Sequence, residues 1–108
     1  MNQNDLLQGT LELLILRVLA SGERHGYGIA KRIEQVSGNT FLVKMGSLYP
    51  ALNRLESKAY VNSYWGQTDT GRKAKIYALT DDGRRQIETE TNLWDGYVNG
   101  INRILKNA

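Results

Sequence analysis

The 108-residue sequence contains no cysteine, one proline and one histidine. Without cysteine the chain has no disulfide, no thiolate metal ligand and no cysteine nucleophile. His25 stands alone, whereas hydrolytic and metal sites draw on several histidines or on histidine with carboxylates. The sequence therefore predicts a protein that is not an enzyme and needs no metal or cofactor.

Long apolar runs are also missing. No segment approaches the roughly 18 apolar residues that span a bilayer. No basic residue precedes an apolar segment at the amino terminus, as a secretory signal requires. A composition of 41% hydrophobic and 23% charged residues is typical of a folded domain. We expect one cytoplasmic domain without a membrane partner.

Positive charge is concentrated in the middle of the chain. The net charge is +3. Residues 24–85 hold eleven basic against five acidic residues, a net +6, whereas residues 1–23 carry −2 and residues 86–108 carry −1. This distribution favours a polyanionic partner for a surface that the middle segments build.

Helical spacing of apolar residues predicts a first helix over 6–20. Leu7, Leu11 and Ile15 form its buried face, while Leu13 and Leu16 lie on the opposite side. A helix that is apolar on two sides must be covered twice, so we expect a second subunit to supply one cover.

Two further helices follow. The second is predicted over 27–37 with Ile29, Ile33 and Val36 inward. The third is predicted over 47–58, and Pro50 is tolerated because it falls in the first turn, where backbone N–H groups lack intrahelical acceptors.

A β-hairpin is predicted from 60–67 and 74–80, which are rich in tyrosine, tryptophan and β-branched residues. Three cations, Arg72, Lys73 and Lys75, lie at or beside its tip. We expect Trp65, in the first strand, to pack against the body of the protein.

The last helix is predicted from 81, after Thr80 as its N-cap. Ile87, Trp94 and Ile101 recur every seven residues, which indicates a helix-packing seam. The expected dimer interface comprises Leu13, Leu16, Ile87, Trp94, Tyr97, Val98, Ile101, Ile104 and Leu105.

Three helices followed by a basic hairpin are the order of a winged helix-turn-helix. We therefore expect a mainly α fold with a β-hairpin wing, a DNA-binding domain over 1–80 and a dimerisation helix over 81–108. The expected contacts to double-stranded DNA are His25, Tyr27, Ser47, Tyr49, Pro50, Asn53, Arg54, Arg72, Lys73 and Lys75.

These contacts have plainer interpretations. Asn53 and Arg54 suit adenine and guanine edges respectively, but the same helix face is also explained as a solvated one. His25 and Tyr27 suit a phosphate at a helix amino terminus, or a packing and capping motif. The hairpin cations suit phosphate contacts, or a solvated tip.

Four blocks of the sequence resemble the PadR family of bacterial transcriptional regulators: GTLELLIL at 9–16, HGYGI at 25–29, GSLYPALNRLE at 46–56 and YALTDDGR at 77–84. The resemblance implies a dimeric winged-helix repressor, released from its operator by a small molecule. The short last helix is similar to the smaller subfamily. Ala59 stands where the family commonly has glycine, and Ile76 and Ala78 stand where relatives often have tyrosine and arginine.

A bound effector would lie between subunits, because in drug-binding relatives an aromatic that matches Trp94 lines a cavity there. The expected effector residues are Glu12, Leu13, Trp94 and Val98, and the expected ligand is planar and aromatic or cationic. Plain core packing of Trp94 and simple exposure of Glu12 explain these residues equally well. The alternative function is a winged-helix dimerisation or interaction module that does not bind DNA.

Overall fold

The computed structural model describes the backbone of residues 3–108 and the side chains of residues 10–108. The elements in chain order are α1 (Gln3–Leu19), β1 (Arg24–His25), α2 (Gly26–Val36), α3 (Met45–Ser57), β2 (Val61–Gln67), β3 (Lys73–Leu79) and α4 (Asp81–Asn107). This mainly helical winged fold confirms the predicted class. No helix within the described residues is long and apolar enough to cross a membrane.

The core lies where α1, α2 and α3 meet. Ile15, Ile29, Leu48 and Leu52 are fully buried there, as their helical spacing predicts. The predicted inward position of Val36 is wrong: its side chain is 67% exposed, because it is the last residue of α2 and the chain turns away after it. The expected position of Leu7 falls outside the described side chains.

The expectation that Leu16 lies on an outer face of α1 is also wrong. Its side chain is 1% exposed and belongs to the same core cluster as Ile15. Both sides of the helix are covered within one chain, because α4 packs against α1 as well. Leu13 stays half-buried.

Pro50 does not lie in a first turn, because α3 begins two residues earlier than predicted. The carbonyl of Lys44 accepts hydrogen bonds from the N–H groups of Ser47 and Leu48, both 3.0 Å, and this sets the helix start. Pro50 is thus the sixth helical residue and leaves the carbonyl of Gly46 without its usual donor.

The sheet has three antiparallel strands in the order β1, β3, β2. The two-residue strand β1 is an addition to the prediction; Arg24 pairs with Tyr77 and His25 with Ile76. This pairing ties the start of α2 to the wing formed by β2 and β3.

The wing joins α4 through a close backbone approach. Thr80 caps α4 by accepting a hydrogen bond from the N–H of Gly83, 3.0 Å, and its own N–H donates to the carbonyl of Tyr60. A Cβ on the buried Gly83 would collide with that carbonyl, so only glycine fits. Ala59, just before, adopts the left-handed φ of +63° that the family's glycine suggested.

Beyond its first two turns α4 leaves the core. Ile87 packs partly on the core of its own chain, in addition to any role between subunits. The large apolar side chains that follow are exposed in the single chain: Leu93, Trp94, Tyr97, Ile101, Ile104 and Leu105.

Candidate nucleic-acid interface

A cleft of about 790 Å³ opens between the start of α2, the outer face of α3 and the wing. It is lined by His25, Gly26, Tyr27, Tyr49, Asn53, Trp65, Thr68, Asp69, Thr70, Arg72, Lys73, Ala74, Lys75 and Tyr77. Three separate parts of the basic middle segment therefore meet at one surface.

At the α2 edge of the cleft, His25 acts as the helix cap. Its Nδ1 accepts a hydrogen bond from the N–H of Gly28, 3.1 Å, so the proton of the neutral ring resides on Nε2. The rings of His25 and Tyr27 stack with centroids 6.5 Å apart, and Nζ of Lys31 lies 5.4 Å from the Tyr27 centroid. Tyr27 and Glu34 raise the pKa of Lys31, and Glu34 Oε1 lies 3.5 Å from its Nζ, so this lysine is paired within α2.

The α3 wall presents Tyr49 and Asn53, both exposed. The Tyr49 ring lies directly over Gly26: a Cβ there would be 2.6 Å from the tyrosine Oη. Glycine at the start of α2 therefore lets the tyrosine of α3 seat against it, which fixes how the two helices meet.

The wing supplies the remaining cations. Residues 68–72 form an ordered turn, in which the N–H of Gly71 donates to the carbonyl of Thr68, 2.9 Å, and the N–H of Arg72 donates to Thr68 Oγ1, 3.2 Å. Lys75 is held by Glu56 of α3 at 3.7 Å. Burial raises the pKa of the Tyr77 hydroxyl at the cleft floor, so this group remains a neutral hydrogen-bond donor.

Trp65 does not pack against the body as expected. Its side chain is 64% exposed, and Nζ of Lys73 lies 5.2 Å from its ring centroid. The reason is register: Trp65 pairs with Lys75 in the outer half of the wing, beyond the reach of the core that buries Val61 and Tyr77.

Seven of the ten predicted DNA contacts line the cleft: His25, Tyr27, Tyr49, Asn53, Arg72, Lys73 and Lys75. Ser47, Pro50 and Arg54 do not. Arg54 points toward α1, where its Nε lies 3.5 Å from Glu12 Oε1.

A second cavity, of about 690 Å³, lies on the other side of α3, between α1 and α4. Three of the four expected effector residues, Glu12, Leu13 and Trp94, line it, whereas Val98 does not. The rings of Trp94 and Tyr97 form a tilted pair there, with centroids 6.2 Å apart. The other lining residues are Thr10, Leu16, Leu55, Lys58, Tyr60, Gln86, Glu90, Leu93, Tyr97 and Ile101.

The residues of α4 that sequence reasoning missed in this cavity carry a readable signal. Gln86, Glu90 and Leu93 were not predicted at all, and they follow helical spacing on one stripe with Tyr97 and Ile101, which were predicted only for the dimer interface. The amide of Gln86 donates to Glu90 Oε1, 2.7 Å, so the carboxylate of Glu90 is oriented within its own helix.

Glu12 borders both α3 and the cavity. Its Oε1 is buried without a hydrogen bond, and lies 3.5 Å from Arg54 Nε and 3.6 Å from Lys58 Nζ. One carboxylate is therefore shared by two cations, Arg54 of α3 and Lys58 at its C-cap, and offsets one of their two charges. No group of three or more histidine, aspartate or glutamate residues within the described part of the chain is placed to hold a metal ion.

Known proteins resemble this chain in both sequence and fold. The model of the transcriptional regulator PadR-like family matches residues 15–89. An uncharacterised protein of Lysinibacillus sphaericus is 32% identical over 94 residues, which are 87% of this chain and 86% of that protein. The negative transcriptional regulator PadR of Bacillus subtilis is 29% identical over 71% of this chain, which spans only 42% of that longer protein.

Among solved structures, a PadR-like transcriptional regulator from Bacillus cereus is 30% identical and superposes with a TM-score of 0.79, covering 96% of this chain and 99% of that one. The match of family model, sequence and architecture shows that this chain belongs to the PadR-like family of transcriptional regulators, which are not enzymes.

Proposed function

We propose that the chain is a ligand-responsive repressor that binds a palindromic operator as a homodimer. The observation that carries the DNA-binding part is the cleft, because seven side chains chosen from sequence for contact with DNA converge on it. Repression is supported by the family and by the name of the Bacillus subtilis relative, a negative regulator.

The wing and α3 have different tasks in this proposal. Arg72 and Lys73 neutralise phosphates, which strengthens binding to any sequence. Asn53 of α3 reads a base edge, since its amide suits the donor and acceptor pair of adenine. Arg54 contacts a base beside Asn53 only when its ion pair with Glu12 opens.

The dimer rests on α4. Three of its large apolar side chains, Trp94, Tyr97 and Ile101, remain 41–65% exposed in the single chain, and a second copy supplies the same surface in return. We therefore assign residues 1–80 to DNA binding and 81–108 to dimerisation. Half-sites are expected about one helical turn, ~10 bp, or a multiple apart.

The effector binds in the second cavity, against Trp94 and near its copy in the partner. A planar aromatic ligand gains stacking there, and a cationic one gains attraction to the rings and to Glu90. Glu12 connects this cavity to α3, because a ligand that draws its carboxylate away changes the charge that α3 presents.

The test is DNA binding at several salt concentrations, with duplexes selected from a random pool. Lys73→Ala is expected to weaken binding to all sequences and to lower the salt slope by about one unit, whereas Asn53→Ala relaxes preference at one base position at a cost of about 1–3 kcal/mol. Lys106→Ala is the matched control, since it removes the same charge at the far end of α4.

The alternative module makes the opposite prediction. A winged-helix protein that only binds other proteins shows neither a salt-dependent affinity for duplex DNA nor a selected sequence. If Lys73→Ala altered the sequence preference and Asn53→Ala did not, the division of tasks between wing and α3 would be wrong.

A further inference from the structure

Trp65 is an exposed indole inside the cleft that neither capping, packing nor the proposed phosphate contacts explain. It lies on the wing at 64% exposure and lines the cleft together with Asn53 and Lys73. An isolated apolar side chain on a surface needs no special explanation. Trp65 is different, because it lies across a basic cleft from α3, where contact with DNA would explain its exposure.

Strand register fixes which way the indole faces. Side chains alternate along a strand, so Trp65 shares a face with Lys73, Lys75 and Tyr77, whose side chains also line the cleft. Lys75 lies directly across the strand pair, and Lys73 Nζ lies 5.2 Å from the ring. The indole therefore lies beside the Lys73 ammonium, whereas the Lys75 ammonium lies 3.7 Å from Glu56 Oε1 and 6.0 Å from the Tyr77 ring centroid.

Tyr64 provides the contrast on the other face of the same strand. Its hydroxyl donates to Glu23 Oε2, 2.5 Å, and this hydrogen bond raises the pKa of the tyrosine. Tyr64 thus has a partner within its own chain. For Trp65, the contact seen among the described residues is the Lys73 ammonium above its ring.

We propose that Trp65 and Lys73 bind one stretch of DNA backbone as a unit, with the indole packed on a deoxyribose and the ammonium beside the adjacent phosphate. A flat apolar ring suits the sugar, and it loses contact with water when the backbone enters the cleft. The lysine is already held near the ring, so little further ordering is needed. The proposal rests on the proposed DNA binding.

The first test uses fluorescence. The chain has two tryptophans, so Trp94→Phe leaves Trp65 as the only reporter. Titration with a selected duplex is expected to shift or quench its emission with the same midpoint that an independent binding assay gives. An unchanged spectrum at saturating DNA overturns the proposal.

The second test separates ring from charge. Trp65→Ala is expected to lower affinity about tenfold at every salt concentration with the salt slope unchanged, as expected when the apolar area buried by one aromatic side chain is lost. Lys73→Gln is expected to reduce the slope instead. Tyr64→Ala, an equally drastic truncation on the opposite face, is the control and is expected to bind like the unmodified chain.

The outcomes distinguish the two proposals. If the unmodified chain binds no DNA, both fail. If it binds with a steep salt dependence while Trp65→Ala binds equally well, DNA binding stands and the role of Trp65 is refuted. A far-UV spectrum and melting temperature equal to those of the unmodified chain establish that a loss in Trp65→Ala is not a folding defect.

Discussion

Whether Gly26→Ala stabilises or destabilises the fold tests how α2 and α3 meet. On backbone grounds it is favourable, because Gly26 is the first residue of α2 and alanine is better than glycine in a helix by at most about 1 kcal/mol. The contact between the added methyl group and Tyr49 predicts a destabilisation instead. The added Cβ would lie 2.6 Å from Tyr49 Oη and 2.9 Å from Tyr49 Cζ, far inside van der Waals contact.

The conflict is resolved by movement of the tyrosine. Overpacking of this kind costs about 1–3 kcal/mol where nothing yields. The Tyr49 side chain is 43% exposed, so it can swing outward and relieve part of that cost. Tyr49 lines the cleft, so such a movement would change the shape of the cleft wall. We therefore expect a net destabilisation of about 1 kcal/mol and a larger loss of DNA affinity.

A double-mutant cycle isolates the contact. In a Tyr49→Ala background the obstacle is gone, and Gly26→Ala is expected to stabilise the fold by up to about 1 kcal/mol. Urea unfolding of the four proteins gives the four free energies of unfolding, which are comparable when the four m-values agree. Gly46→Ala is the control, because it also adds a methyl group to a helix start but meets open space.

Additive effects of Gly26→Ala and Tyr49→Ala on stability would show that the two residues do not interact. If Gly26→Ala changed stability equally with and without the Tyr49 ring, the two residues would not be in the contact described. A stabilised Gly26→Ala protein with normal DNA affinity would show that the position of Tyr49 does not matter for binding.

Three further changes follow from other parts of the molecule. Ala59→Gly is expected to raise the free energy of unfolding by about 0.5–1 kcal/mol, because φ is +63° there; a lower urea midpoint would contradict this. Ile101→Asp is expected to give a monomer in sedimentation at micromolar concentration, whereas Asn99→Asp, with the same charge on the opposite side of α4, stays dimeric; equal behaviour would rule out the seam. Glu12→Gln releases two cations and is expected to tighten binding to DNA and steepen its salt dependence, while Glu90→Gln, in the same cavity, does neither.

The sequence predicted the parts of the fold that depend on periodic burial. Ile29, Leu48 and Leu52 are in the core because their spacing matches one helix face, and that signal is local. The Thr80 cap was also readable, since a hydroxyl before two carboxylates is the chemistry of a helix start.

What the sequence did not predict depends on distant partners. Strand β1 is two residues long and forms only because β3 offers it backbone groups. Trp65 reads as a packing residue until the register shows that the core ends below it. Arg54 has the chemistry of a base reader, but its orientation depends on Glu12, which is 42 positions earlier in the chain.

In the proposed function, α3 is the physical route by which a ligand would affect DNA binding. Asn53 and Leu55 are two positions apart, so they lie on opposite sides of the helix, one in the cleft and one in the second cavity. Under the proposed function, a ligand that displaces Leu55 or draws Glu12 away would move or recharge the helix that we propose to read DNA. A tenfold loss of operator affinity needs only about 1.4 kcal/mol of difference between the ligand's affinities for the free and the DNA-bound arrangements. A ligand that binds both arrangements equally leaves DNA binding unchanged, however tightly it binds. The decisive measurement is thus ligand affinity with and without operator, and equal values would remove the cavity from the regulatory mechanism.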